Sequence, residues 1–158
     1  MSKSWIPTLL LIAVLGAPGH AQSGRFGIGM IVGEPTGISL KHWLGDSRAV
    51  DFALAWSFEN NNSLTIHGDY LIHNFGLIKV NKGRLPFFYG IGGRIKFDDD
   101  ERRRNDDSRV GVRVPVGLAY LFDNAVLDLF AELVPILDLA PETDFRLNAA
   151  VGIRYFFK

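Results

Sequence analysis

DFRLNAAVGIRYFF, residues 144–157, is the stretch that decides the fold of this chain. Every second residue from Phe145 to Phe157 is apolar, whereas the residues between them are mostly polar or small. A period of two over this length predicts a β-strand with two different faces. Fourteen residues is long for a strand of a soluble protein and suits a tilted strand that crosses a bilayer.

The N-terminus is predicted to be an export signal. Lys3 precedes an apolar segment, Ile6 to Leu15, and Gly19-His20-Ala21 supplies a small-x-small cleavage site. The apolar segment is too short to span a bilayer as a helix. Residues 1–21 are therefore interpreted as a signal peptide, and residues 22–158 as a single β-barrel domain.

Composition excludes several classes of protein. The signal contains one basic residue, so the remaining chain carries 16 basic and 17 acidic residues, a balance that does not favour nucleic acid as a partner. The absence of cysteine excludes disulfides as the source of stability. No segment after the signal has eighteen consecutive apolar residues, which excludes a spanning helix.

Seven further alternating runs precede the last one, and turn sequences such as Glu34-Pro35-Thr36-Gly37 separate them. Eight strands without a helix candidate predict an all-β fold, an eight-stranded antiparallel up-and-down transmembrane β-barrel. The segment Asn74 to Pro86 either extends the fourth strand or forms an irregular connection. Pro115 and Pro135 fall inside predicted strands, where each removes a backbone donor, so a bulge or a strand end is expected at each.

The polar face distinguishes two kinds of barrel. A soluble lipocalin-like barrel would enclose a lipophilic ligand with its apolar face, whereas a membrane barrel would turn that face to lipid. The polar face consists of Gly, Ala and single charges of both signs, which favours the narrow interior of a membrane barrel, where buried charges need partners. The predicted charge network of the lumen is Lys41, Asp51, Asp69, Arg94, Lys96, Arg113, Asp128, Glu132, Arg146 and Arg154.

Aromatic residues of the apolar face fall near the strand ends. If both termini lie on the periplasmic side, Trp56, Phe58, Phe97 and Phe145 lie at the outer rim, and a larger group lies at the periplasmic rim. Two aromatic belts are typical of a lipid-embedded barrel. The predicted periplasmic girdle is Phe26, Phe52, Tyr70, Phe87, Tyr89, Tyr120, Phe122, Tyr155 and Phe157. Trp43 instead shares a face with Lys41 and should point inward unless a bulge shifts the register.

With these features, the chain resembles the small eight-stranded outer-membrane barrels of Gram-negative bacteria, of the type of the OmpA membrane domain and OmpX. The resemblance rests on the signal, the eight runs, the mixed-charge face and the terminal Tyr155-Phe156-Phe157, which here is followed by Lys158. Gly33-Glu34-Pro35-Thr36-Gly37 and Tyr89-Gly90-Ile91-Gly92-Gly93-Arg94 also resemble an uncharacterised bacterial group of barrel proteins. The resemblance implies location in the bacterial outer membrane, with its lipid, its lipopolysaccharide and the insertion machinery as partners.

Two groups of residues could support chemistry. His67, Asp69 and His73 share a strand face and could hold a metal ion, but a polar lumen wall explains them more simply. Asp128 and Glu132 could form an acid-base pair, and are more simply counter-ions of Arg113 and Arg146. No Ser-His-Asp or cysteine-based arrangement is visible. The sequence therefore predicts no metal, no cofactor and no enzymatic activity.

The segment Asp98 to Ser108 is the most charged part of the chain and is predicted to lie outside the cell. It could bind an extracellular protein, lipopolysaccharide headgroups or cations, but a solvated hairpin tip explains its mixed charges more simply. Eight strands leave an interior filled by side chains, which disfavours a porin. The predicted function is a small integral outer-membrane barrel with a structural or surface-interaction role. A soluble periplasmic barrel that binds a lipophilic ligand is the alternative, and an outer-membrane enzyme is the third possibility.

Overall fold

The computed structural model describes residues 25–57, 63–98 and 108–157, which form nine β-strands in one sheet. The strands are β1 (Phe26–Gly33), β2 (Thr36–Trp43), β3 (Arg48–Ser57), β4 (Ser63–Asn74), β5 (Phe87–Asp98), β6 (Ser108–Arg113), β7 (Val116–Leu121), β8 (Leu127–Ala140) and β9 (Asp144–Phe157). Within these residues, no helix has the length and apolar character needed to cross a membrane. The predicted signal peptide lies outside the described residues.

The sheet closes into a ring. β1 pairs with β2 on one side and with β9 on the other, and β4 pairs with β5. β6 and β7 lie end to end between β5 and β8, so the two segments together occupy the place of one strand. All pairings are antiparallel. Because β6 and β7 share one position, the nine strands form a ring of eight positions. The predicted all-β, eight-stranded, antiparallel up-and-down barrel is confirmed.

The predicted last strand is the one that closes the barrel. β9 has the predicted bounds and pairs with all of β1, from Phe26 opposite Phe157 to Gly33 opposite Ala150. Gly29 permits the close approach of the two strands: a Cβ atom there would collide with the carbonyl oxygen of Ile153. The pairing of β1 with β9 therefore depends on the absence of a side chain at Gly29 as well as on the backbone hydrogen bonds.

Two prolines explain why one strand is divided and its neighbour is not. Pro115 separates β6 from β7, yet the pairing with β5 and with β8 keeps the same register across the gap. Pro135 lies inside β8, and its carbonyl oxygen accepts a hydrogen bond from Val114 N at 3.0 Å. Because the N and O atoms of a residue point to the same side of an antiparallel strand, the missing donor of Pro135 faces the gap between β6 and β7. A strand end therefore accommodates Pro115, and Pro135 needs neither an end nor a bulge.

The segment after β4 is an irregular connection, and it does not extend the strand. β4 ends at Asn74, and residues 75–86 cross to β5 without regular pairing. A single bridge secures this connection: Arg84 N donates to Leu121 O at 3.0 Å, and Leu121 N donates to Arg84 O at 2.8 Å. The connection is thus tied to the end of β7, at the end of the barrel where the described chain begins.

The apolar face of the barrel points outward and the charged face points inward. Met30, Ile91 and Phe145 on the outer face are 61%, 60% and 66% exposed, whereas Lys41 and Arg113 are each 1% exposed. A lipocalin-like barrel requires the opposite arrangement, since its apolar residues line the ligand cavity. The described strands therefore contradict the lipocalin-like alternative.

The interior contains apolar layers as well as charges. One buried cluster consists of Ile31, Leu71, Phe88, Ala119, Phe130 and Ala150. A second cluster, near the chain termini, consists of Trp43, Ala49 and Phe156. Trp43 points inward on the same face as Lys41, with no bulge in its pairing to β3. The inner face thus holds bulky aromatic rings in addition to the small residues and charges that the sequence pattern emphasised.

Candidate functional site

The charged interior is the most distinctive site of the molecule. Nine of the ten predicted network residues are 0–9% exposed, and the tenth, Arg146, lies at the rim with its side chain 40% exposed. Asp138, which is 1% exposed, also belongs to the interior, although the predicted network did not include it. Its spacing of two from the inward residues of β8 was the signal that could have identified it. The bulge or strand end that was expected at Pro135 interrupted this spacing.

Arg113 occupies the middle of the network. Its Nε atom lies 2.9 Å from Asp69 Oδ1, as a buried ion pair. Its Nη2 atom lies 3.5 Å from Glu132 Oε1. Arg113 on β6 therefore links β4 to β8 across the lumen, and Glu132 is a counter-ion of Arg113.

Arg154 makes a second connection between strands that are distant in sequence. Its Nη2 donates to Asp51 Oδ2 at 2.9 Å, its Nε donates to Ser39 Oγ at 2.9 Å, and its Nη1 lies 3.6 Å from Asp128 Oδ2. The guanidinium also lies 3.8 Å from the centre of the Phe130 ring, a cation–π contact. β9 is thereby tied to β2, β3 and β8 through one side chain.

Lys41 is the other basic partner of Asp128, at 3.8 Å. Its Nζ atom lies 2.9 Å from His73 Nε2 and 4.4 Å from the centre of the Trp43 ring. Asp128 is therefore shared by Lys41 and Arg154. The prediction that Arg146 supplies a counter-ion for Asp128 or Glu132 was wrong, because Arg146 lies near the far end of β8.

A third group of charges lies near the end of the barrel at which β5 and β8 end. Arg94 contacts both carboxylate oxygens of Asp138, with Nη2 donating to Oδ2 at 2.7 Å and Nε donating to Oδ1 at 3.1 Å. Arg146 lies 3.9 Å from Asp138 and 3.2 Å from the exposed Asp144. Lys96 is buried on the same inner face, at a position of β5 that faces Thr65 and Arg109.

Charge balance makes this interior electrostatically feasible. Among the described residues it contains five acidic and five basic buried side chains, namely Asp51, Asp69, Asp128, Glu132 and Asp138, and Lys41, Arg94, Lys96, Arg113 and Arg154. Each of the three arginines contacts at least one carboxylate, so that the cost of removing these charges from water is offset. The network can hold the wall of the barrel together from within.

His67 and His73, which share a face in the sequence pattern, lie in different surroundings in the structure. His67 and Asp69 are joined by Asp51, and one potential ligand atom from each of the three lies within 4.8 Å of the others. His73 lies apart, beside Lys41 and with its ring centre 4.4 Å from that of Trp43. The sequence pattern did not place Asp51 in this group. Asp51 lies on β3, and it is opposite Asp69 only because of the register between β3 and β4.

The predicted aromatic girdle lies on the outer face. Seven of its nine members are 38–52% exposed, and Phe87 and Tyr120 are partly buried. Ring pairs connect neighbouring members, such as Tyr120 with Phe122 at 4.8 Å and Tyr155 with Phe157 at 5.4 Å between centres. Of the second predicted group, Trp56, Phe97 and Phe145 are exposed, whereas Phe58 lies outside the described residues.

The predicted partner-binding segment, Asp98 to Ser108, lies almost entirely outside the described residues. Asp98 ends β5 and Ser108 begins β6, and residues 99–107 are not described. The expectation of an extracellular protein ligand at this segment therefore stays a prediction from the sequence.

Fold and interior together define the described residues as a small up-and-down β-barrel with an apolar exterior and buried charges in its lumen. Among solved structures it is similar to the N-terminal β-barrel domain of Pseudomonas aeruginosa OprF, with a TM-score of 0.60 and 14% identity over 86% of this chain and 100% of that chain. Ail, the attachment invasion locus protein of Yersinia pestis, matches with a TM-score of 0.40 and 12% identity over 84% of this chain and 93% of that chain. No protein-family model and no curated protein matches. The similarity to the OprF domain establishes the fold, so the sequence resemblance to small outer-membrane barrels is confirmed at the level of fold.

Proposed function

We propose that this protein is an integral barrel of the bacterial outer membrane that has a structural role in the envelope and forms no open pore. The observation that carries the proposal is the apolar outer face, which continues over the whole ring. Every strand from β1 to β9 contributes at least one large hydrophobic residue that is 36% or more exposed. Soluble monomers rarely expose an apolar surface of this extent to water, whereas the outer face of a membrane barrel is apolar because it contacts lipid.

The dimensions of this surface support a location in a bilayer. Along β9 the outward residues run from Phe145 to Phe157, a distance of roughly 40 Å at the usual rise of a strand. With a typical tilt of about 40°, this corresponds to about 30 Å along the barrel axis. That height accommodates the apolar band of an outer-membrane barrel, about 25 Å, with an aromatic residue near each of its ends. Closure of the ring leaves no unpaired strand edge in the lipid.

The filled lumen supports the absence of a pore. The inner side chains of the first apolar cluster, including Phe88 and Phe130, lie across the interior beside the Arg113 and Arg154 networks. Trp43 and Phe156 form a second layer closer to one end. An eight-stranded ring has room for side chains and little more. These side chains support an interior that acts as a core of charged and aromatic groups rather than as a channel.

The engagement of the lumen acids supports a non-catalytic role. Asp128 lies between Lys41 and Arg154, and Glu132 lies beside Arg113, so each acts as a counter-ion. The partners of such a barrel are the lipids and lipopolysaccharide around its outer face and the insertion machinery that assembles it. A surface-interaction role would belong to the outer loops, for which Asp98 to Ser108 supplies the most charged sequence.

Fractionation of cells that express the full chain tests the location. We expect the protein in the outer-membrane fraction, extractable only with detergent, because its exposed apolar face requires an amphiphilic environment. The folded protein should migrate differently from the boiled protein on a gel. Recovery as a detergent-free soluble periplasmic protein would contradict the proposal.

Conductance across a planar lipid bilayer tests the filled lumen. We expect no stable open channel from the purified folded barrel, because large buried side chains such as Phe88, Phe130 and Arg113 lie in the lumen. A general porin inserted under the same conditions serves as the positive control. Steady ohmic conductance that scales with the number of inserted barrels would show that the interior is open.

A further inference from the structure

One group of lumen residues is not fully used by the ion pairs. Asp51 on β3 and His67 and Asp69 on β4 point into the interior, and each is 4% exposed. Asp51 lies directly opposite Asp69 in the sheet, and His67 precedes Asp69 by two residues on the same face. One donor atom from each lies within 4.8 Å of the other two. Two adjacent strands thus direct a nitrogen and two carboxylates to a common point.

Several donor atoms of this group lack hydrogen-bond partners. Asp51 Oδ1, His67 Nδ1 and Asp69 Oδ2 are buried and make no hydrogen bond among the described residues, whereas Asp69 Oδ1 contacts Arg113 Nε at 2.9 Å. Buried polar atoms are nearly always paired, so several unpaired atoms in one place require an explanation. Two carboxylates directly opposite each other also repel, and a bound cation would remove that repulsion.

We propose that Asp51, His67 and Asp69 bind one divalent transition-metal ion inside the barrel. Imidazole is a ligand of zinc, copper, nickel and iron, whereas magnesium and calcium prefer sites made of oxygen alone, so His67 selects for the first class. The two carboxylates carry the negative charge that a divalent ion requires. Zinc bonds to nitrogen and oxygen are about 2.0–2.2 Å long, so small side-chain rotations that reduce the spacing of the three ligand atoms would complete the site.

The neighbouring arginines can give up their contacts with this group. Arg113 lies near Asp69 but also near Glu132, at 3.5 Å. Arg154 donates to Asp51 but also donates to Ser39 at 2.9 Å and lies 3.6 Å from Asp128. If a metal ion takes the carboxylates of Asp51 and Asp69, both guanidinium groups therefore keep a second partner. Because Glu132 stays beside Arg113 and Asp128 stays beside Arg154, the interior can hold either the metal ion or the two arginine contacts.

Metal titration of the folded, tag-free barrel in detergent tests the proposal. After treatment with a chelator, the protein is titrated with Zn²⁺ in competition with a chromogenic chelator, and separately with Co²⁺, whose visible absorption reports its ligands. We expect one Zn²⁺ per barrel. His67→Gln should weaken binding about tenfold or more, since loss of even an outer-shell partner weakens metal affinity by roughly 10–100-fold.

Two other histidines supply matched controls. His42 is exposed on the outer face of β2, and His73 is buried in the same lumen but beside Lys41. His42→Ala and His73→Ala should bind Zn²⁺ like the unchanged protein and give the same Co²⁺ spectrum. His67→Gln keeps a polar side chain of similar size, and its fold is checked by heat-modifiable migration. If it does not fold, Asp51→Asn, with the same expected loss, supplies the comparison.

Two outcomes would overturn the proposal. The first is the absence of a stoichiometric equivalent of bound Zn²⁺ in the unchanged protein. The second is binding that is equal in the unchanged protein and in His67→Gln, or that is lost in His42→Ala or His73→Ala instead. Neither outcome would alter the proposed location in the outer membrane, which fractionation tests independently.

Discussion

Replacement of Arg113 with alanine should lower the free energy of unfolding by about 3–5 kcal/mol, the usual cost of removing one partner from a buried ion pair. Arg113 is 1% exposed and is the basic group closest to Asp69. Its removal leaves Asp69 and Glu132 with less compensation in a closed interior, where uncompensated charge is strongly unfavourable. It also removes the contact that joins β4 to β8 through β6.

Urea unfolding of the barrel in lipid vesicles measures this loss. Trp43 and Trp56 lie in the barrel, on its inner and outer faces, so tryptophan fluorescence reports the transition. Arg146→Ala is the matched control, because it removes the same type of side chain where it is 40% exposed. An exposed ion pair contributes about 0–1 kcal/mol, so the control should change stability little. Equal effects of the two substitutions would contradict the assignment of Arg113 to a buried network.

Replacement of Val151 with arginine should lower the stability of the membrane-inserted barrel by about 2–4 kcal/mol, the cost of a charge on the lipid face near the middle of the bilayer. Val151 is 56% exposed and lies halfway between Phe145 and Phe157, which mark the two ends of the outer face of β9. A buried charge in lipid lacks both water and a partner, so the cost falls on the folded, inserted state.

Leu139→Arg is the matched control for this experiment. Leu139 is 53% exposed on the same outer face but lies at the end of β8. Near the interface a charge reaches water, and the cost falls to about 0–1 kcal/mol. Both variants are compared by urea unfolding and by the yield of heat-modifiable protein. If Val151→Arg changed stability by less than about 0.5 kcal/mol, as a substitution on a water-exposed surface does, the outer face would not contact lipid.

Much of the fold could be predicted from local pattern. The alternation in Asp144–Phe157 predicted the bounds and the two faces of β9, because successive side chains of any strand must point to opposite sides. The same rule placed Lys41 and Trp43 together on the inner face. The number of alternating runs then predicted the eight-membered ring, since a closed sheet of this size is the stable solution for a two-faced meander.

Local pattern was less informative where chain connectivity or proline intervened. The sequence left residues 75–86 open between a strand and a connection, and pairing with Leu121 shows a connection. The predicted charge network also omitted Asp138, although β8 continues to Ala140 and includes it. A proline removes one donor, but whether the strand continues depends on which neighbour that donor would have faced.

Membership of the candidate site was only partly accessible from the sequence. That Asp69 and His67 share a face follows from their spacing of two. That Asp51 joins them, and that His73 does not, depends on the register between strands and on the position along the barrel axis. Register is a relation between distant segments, so a single strand does not encode it.

The sequence by itself determined that this chain is a two-faced β-barrel, because alternation is a property of each strand alone. Only the tertiary structure decided which charges meet, such as Arg154 with Asp51 and Arg113 with Asp69. Those pairs form where the curvature of the ring brings long side chains from different strands into one lumen. The physical reason is that a strand sets the direction of its side chains, whereas closure of the ring sets their distances.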